Sequence, residues 1–172
     1  RLRSRGLGDV YKRQELDRPA VLEDLRQALY ASKICAYAQG FNLLEEAGKV
    51  YGWDLQMGRI AKIWRSGCII RARFLDTVSE IFEKESSMTN LLASGYFSQV
   101  LYGARAGWGR IISLAVKRGA AVPALSSAIA YFDSYHTARG SANLLQAQRD
   151  CFGAHTYERI DKEGAFHTDW MN

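Results

Sequence analysis

The chain has 172 residues, 48% of them hydrophobic and 24% charged, which excludes a disordered polar tail and suits one domain with a sizeable core. No apolar run approaches the roughly 18 residues of a membrane span, and no secretory signal is visible at the start. The net charge of +5 invites a nucleic-acid partner. However, residues 1–14, RLRSRGLGDVYKRQ, hold Arg1, Arg3, Arg5, Lys12 and Arg13 against Asp9, a net +4, so the body is nearly neutral and DNA and RNA are discounted.

The string LGDVYKRQ resembles translated adaptor sequence, so residues 1–14 are expected to be a non-native leader and residues 15–172 the fold. From Arg18 to about Tyr51 the spacing predicts a helix. Pro19 stands in its first turn, with Glu23 and Asp24 close behind to meet the positive helix end. Leu22, Leu25, Leu29, Ile34, Tyr37, Phe41 and Leu44 recur at three and four, with small residues between them. A helix apolar or small nearly all round is packed on several sides, so this one is expected to be central, ended by Gly48 and Gly52. Asp54 is the expected N-cap of a second helix reaching Trp64, broken by Gly67.

A third helix is expected from about Ile70 to Lys84, then a polar link over Ser86–Asn90. A long one follows over Leu91–Gly119, with Lys117 and Arg118 in its last turn and Gly119 as its stop. Pro123 opens a helix with Leu125, Ile129, Phe132 and Tyr135 inward. Ser141 caps the last helix, from Asn143 to about Cys151, and Gly153 ends it. The remainder, AHTYERIDKEGAFHTDWMN, reads as an extended tail turning at Lys162–Gly164. The class is all-α: a multi-helix domain with long central helices and an extended C-terminal tail. Cys35, Cys68 and Cys151 show no paired or zinc spacing and read as reduced, buried thiols in a cytoplasmic protein.

No phosphate-cradling glycine loop, nucleophile elbow or zinc pair is present, and no GxGxxG follows a strand. One cluster carries chemistry. Arg149, His155, Tyr157, Arg159 and Lys162 fall on or just beyond the last helix. An arginine fork suits phosphate or carboxylate, and an imidazole adds a donor that titrates near neutral pH. Gly153 lets the chain turn so that Arg149 and His155 converge on one anion. The helix dipole opposes this, because a C-terminal helix end repels anions, so the side chains must do the binding. Against it stands the plain reading of Arg149 as a solvated charge and of His155 as structural. His136 and His167 receive the structural reading outright.

Residues 142–170, ANLLQAQRDCFGAHTYERIDKEGAFHTDW, resemble the C-terminal domain of decarboxylating 6-phosphogluconate dehydrogenases. So do ASKICAYAQGFNLL (31–44), WDLQMGRIAKIWRSGCIIRARFL (53–75) and VPALSSAIAYFDSYHTARGSANL (122–144). The resemblance implies an enzyme of the pentose phosphate pathway. It would oxidise 6-phosphogluconate with NADP, release carbon dioxide and form ribulose 5-phosphate, as a homodimer whose tail enters the partner's active site. It implies that Arg149 grips the sugar phosphate and His155 helps fix the substrate. It places the family's lysine base, glutamate acid and NADP-binding domain upstream, without counterpart here, so no catalytic, cofactor-binding or metal residue is expected in this chain. Cys151 replaces an aromatic usual in the motif, Gly140–Ser141 replaces Leu-Pro, and His136 stands where arginine is common.

The chain is thus expected to be the substrate-binding and dimerisation part of such an enzyme, inactive alone and with apolar surface left open on its central helix. The competing reading is a stand-alone helical binding or dimerisation module without catalysis. A third, nucleic-acid binding, rests on the leader's charge alone.

Overall fold

The computed structural model describes residues 16–65, 68–85 and 88–171. Helices dominate, as expected: α1 (Arg18–Tyr51), α2 (Met57–Arg65), α3 (Leu75–Lys84), α4 (Gly95–Lys117), α5 (Pro123–Tyr135) and α6 (Ala142–Gly153). A 3-10 turn spans Leu91–Ala93, and two-residue strands β1 (Tyr157–Glu158) and β2 (Ala165–Phe166) lie in the tail. The chain divides into two compact units, one ending at Ile129 and the other running from Ala130 to Asn172. Among the described residues no helix is long and apolar enough to cross a membrane.

In the first unit α1 runs the length expected of it. Asp17 caps its start by accepting the Ala20 N–H, and Gly52 closes it in the left-handed region at φ +68°. Glu23 and Asp24 lie beyond the first turn and do not serve the helix end. Glu23 instead binds Arg26 and Gln27, and Asp24 takes both prongs of the Arg110 fork of α4 at 2.7 Å. That hydrogen-bonded guanidinium holds the Asp24 carboxyl below the usual carboxylate range. Ala28, Ala31, Ile34, Cys35, Ala38 and Phe41 are buried. Leu22 and Leu29, expected inward, are 64% and 55% exposed. The all-round apolar pattern reported how much packing the helix calls for, not which side the described neighbours cover.

The predicted helix over Leu91–Gly119 is broken at its start. Asn90 accepts the Leu92 N–H and Ser94 accepts the Phe97 N–H, so two caps compete with helix continuation and α4 begins at Gly95. Phe97, Leu101, Trp108 and Ile111 of α4 are buried, and burial of a side chain of this kind is worth about 1.5–3 kcal/mol. Gly107 lets α4 approach α1, because a Cβ there would stand 2.6 Å from Asp24 Oδ1 and 3.1 Å from Gln27 Oε1.

Aromatic contacts join α1 to α2 and α3. Phe41 lies 4.8 Å from Trp64 and 5.4 Å from Phe82, and Tyr37 lies 5.1 Å from Phe74. Ser79 Oγ donates to the Gly58 carbonyl at 3.0 Å and fastens α3 to α2. Two expected starts fall later than predicted: α2 opens at Met57 rather than after Asp54, and α3 at Leu75 rather than Ile70. Gly67, Ser86 and Ser87 lie outside the described residues. Of the three thiols only Cys35 is buried, and burial pushes it up to about 12. Cys68 is half-buried and Cys151 exposed, against expectation.

In the second unit Phe132 is buried and Tyr135, expected inward, is exposed. Ser141 opens α6 without a side-chain cap. The tail, expected to be extended, folds into a short ribbon in which Tyr157 pairs with Phe166 and Glu158 with Ala165. Gly164, at φ +108°, lies at the expected turn between the strands.

Candidate functional site

Arg149 projects from α6 just before its last turn and is exposed. Its Nη1 donates to Gln146 Oε1 at 3.4 Å, one turn back. Leu145 and Phe152, at i−4 and i+3, share its side of the helix and are also exposed, Phe152 at 72%. The guanidinium therefore stands in an apolar strip, which is unlike a helix face evolved only for water.

His155 stands two residues past the helix, also exposed. Its neighbours Ala154 and Thr156 both occupy the left-handed region, at φ +49° and +60°. For non-glycine residues that conformation is disfavoured and needs support from outside. The His155 ring meets Phe152 edge-on at 5.7 Å. It also lies so close to Gly153 that a Cβ there would be 2.7 Å from Nε2. Gly153 is the last residue of α6, as expected, but it is not the cap. Ala154 is the C-cap, returning its N–H to the Asp150 carbonyl at 2.9 Å, and Gly153 makes room for the imidazole.

The residue that organises this turn is Asp150, fully buried. Its carboxylate accepts the Thr156 N–H at 3.0 Å and His167 Nδ1 at 2.9 Å on one oxygen. The other oxygen accepts the Thr168 N–H at 3.0 Å and Trp170 Nε1 at 2.9 Å. Burial pushes the Asp150 carboxyl up, but the donors from Thr168, His167 and Trp170, with the charge of His167, outweigh it and hold the group well below the usual carboxylate range. Sequence reading passed over Asp150. One signal was available: a carboxylate in the last turn of a helix faces the negative dipole end, so it demands donors from elsewhere. His167 has the structural role expected of it, and His136 is held through Nδ1 by the Phe132 carbonyl at 2.9 Å.

The rest of the predicted cluster is engaged differently. Tyr157 Oη bonds Thr168 Oγ1 at 2.7 Å. Arg159 forms a two-pronged pair with Asp161 and lies over the Phe166 ring, which commits its charge to the ribbon. Lys162 is exposed at the ribbon's turn. A cavity of about 530 Å³ between α6 and the ribbon is lined by Gln146, Tyr157, Arg159 and Trp170 among others, and takes in neither Arg149 nor His155. Arg149 and His155 are instead linked through Gln146, whose oxygen accepts from Arg149 while its nitrogen donates to the Thr156 carbonyl beside His155.

What these features define is a helical domain that offers a cation and an imidazole at its surface rather than inside a pocket of its own. The chain belongs to the family described as 6-phosphogluconate dehydrogenase, C-terminal domain, whose family model matches residues 3–170. That match takes in most of the stretch expected to be a leader, which lies outside the described residues. The chain is 48% identical over 164 residues to 6-phosphogluconate dehydrogenase, decarboxylating 1, of Oryza sativa subsp. japonica, covering 95% of this chain and 34% of that protein. It is 50% identical to the NADP(+)-dependent, decarboxylating enzyme of Bacillus subtilis, covering 99% of this chain and 37% of the relative. Among solved structures it matches the Plasmodium falciparum 6-phosphogluconate dehydrogenase, studied with NADP+ and with 6-phosphogluconate. The TM-score is 0.89 at 37% identity, over 96% of this chain and 35% of that one. The chain thus spans about a third of the length of these relatives.

Proposed function

We propose that this chain works as the substrate-binding and dimerisation part of an NADP-dependent, decarboxylating 6-phosphogluconate dehydrogenase. Residues 15–172 form its C-terminal helical domain. Arg149 grips the phosphate of 6-phosphogluconate with its fork, and His155 donates a further hydrogen bond that fixes the substrate. The observation that carries this reading is the tail itself: a cation and an imidazole, both exposed beside apolar side chains yet anchored by partly buried hydrogen bonds. A surface of that kind suits docking against a second subunit, with the tail reaching the partner's active site in a homodimer.

The relatives include an NADP(+)-dependent enzyme, and we infer that NADP is held by the upstream part of such an enzyme, so no step is routed through it here. This chain supplies orientation of the substrate, not the proton transfers.

The test joins this chain to the upstream two thirds of the Bacillus subtilis relative and follows NADPH formation from 6-phosphogluconate. The hybrid should turn over and the chain alone should not. Arg149→Ala in the hybrid should raise the Michaelis constant for 6-phosphogluconate about 10²-fold, the scale of a lost charged phosphate contact. An unchanged constant would remove Arg149 from the site. A hybrid without activity would favour a stand-alone dimerisation module, which the same apolar strip on α6 also suits.

A further inference from the structure

We propose that Asp150 is a positioning residue for substrate binding: it clamps the strained turn that presents His155 beside Arg149. The inference rests on the reading of Arg149 and His155 as substrate ligands. Two peptide groups, one on either side of His155, are tied to this one residue. The Asp150 carbonyl receives the Ala154 N–H and its carboxylate receives the Thr156 N–H. Those bonds hold the two left-handed residues on either side of His155, whose conformation has no glycine to relieve it. Strain at a site is retained only where the surroundings over-determine it, and here a fully buried carboxylate does so with donors from four residues.

The other three donors come from His167, Thr168 and Trp170, which follow the ribbon. Asp150 therefore gathers both ends of the tail onto the last turn of α6, directly beside Arg149. Gln146 completes the frame by bonding Arg149 on one side and the Thr156 carbonyl on the other. Asp150 is buried away from any ligand, so its action on substrate passes through the pose of its neighbours. A buried carboxylate that only stabilised the fold would have no reason to bracket the one imidazole that faces outward from this turn.

The experiment uses the active hybrid and measures Michaelis constants for 6-phosphogluconate and NADP separately from kcat. Asp150→Asn replaces an acceptor with an amide that must turn a donor toward donors. It should raise the constant for 6-phosphogluconate by about 10-fold or more, with the constant for NADP and kcat within about twofold. Trp170→Phe removes a single donor and should raise the same constant by a smaller factor, about two- to fivefold. If Arg149→Ala weakens substrate binding while Asp150→Asn and Trp170→Phe do not, the clamp is overturned and the substrate reading stands. If all three leave the constant unchanged, the substrate reading fails and the clamp falls with it. Should Asp150→Asn yield no folded protein, Trp170→Phe decides: a rise confined to 6-phosphogluconate supports the clamp, and an equal drift in every parameter refutes it.

Discussion

Asp150 makes the tail sensitive to acid in a direction that follows from its environment. The folded carboxyl is held below its usual range, so the stabilisation it gives is fully present above the unfolded value of about 3.9 and is lost as pH falls through the folded value. Protonation adds a hydrogen to an oxygen already facing donors, and on Oδ2 it deprives Trp170 and Thr168 of their acceptor. The Trp170 indole N–H resonance should therefore keep its hydrogen-bonded position through the usual carboxylate range and leave it only in stronger acid, and Asp150→Asn should show the displaced position at neutral pH. A resonance unmoved in both tests would mean that the carboxylate does not hold the tail. At this scale the sequence singled out Arg149 and His155, because a guanidinium and an imidazole suit an anion and their motif resembles a known one. Asp150 was not. One acid in a helix looks like any solvated charge until the chain returns donors from six to twenty positions on.

Helices were legible wherever apolar spacing persisted, as in α1 and α5. Their starts were misplaced wherever local hydrogen bonding competed with it. Ser94 interrupts a sequence that reads as continuous helix, and α2 and α3 begin later than their apolar residues suggested. The close approach of α1 and α4 was invisible too, because Gly107 looks like a weak helix residue until a partner helix is laid against it. Its place is tight: the nearest atom to an added Cβ belongs to a short side chain that Arg110 grips with both prongs. Gly107→Ala gains helix propensity, worth about 1 kcal/mol, but must displace Asp24 from that fork. Overpacking of this sort costs about 1–3 kcal/mol, so the expected net effect is destabilisation read as a lower urea midpoint. A higher midpoint would show that the two helices part at no cost.

Across the whole molecule the sequence promised a central helix packed on several sides, and the described residues leave one of its sides open. Leu22, Leu29, Leu43 and Val50 fall on one α1 stripe at multiples of seven, and all four are exposed, Leu43 and Val50 above 70%. Relatives about three times as long have chain to spare for covering such a stripe, whereas this chain alone presents it to water. The two situations can be separated by one pair of substitutions. Leu29→Ser with Leu43→Ser removes apolar groups that are already wet in the chain alone, so its unfolding free energy should change by no more than about 0.5 kcal/mol per site. Its tendency to self-associate, followed by sedimentation, should fall. If the added chain of the hybrid covers those leucines, each loss should there cost about 1.5–3 kcal/mol, seen as a lower melting temperature. Equal effects in chain and hybrid would mean that the stripe stays exposed in both and that α1 was never meant to be central.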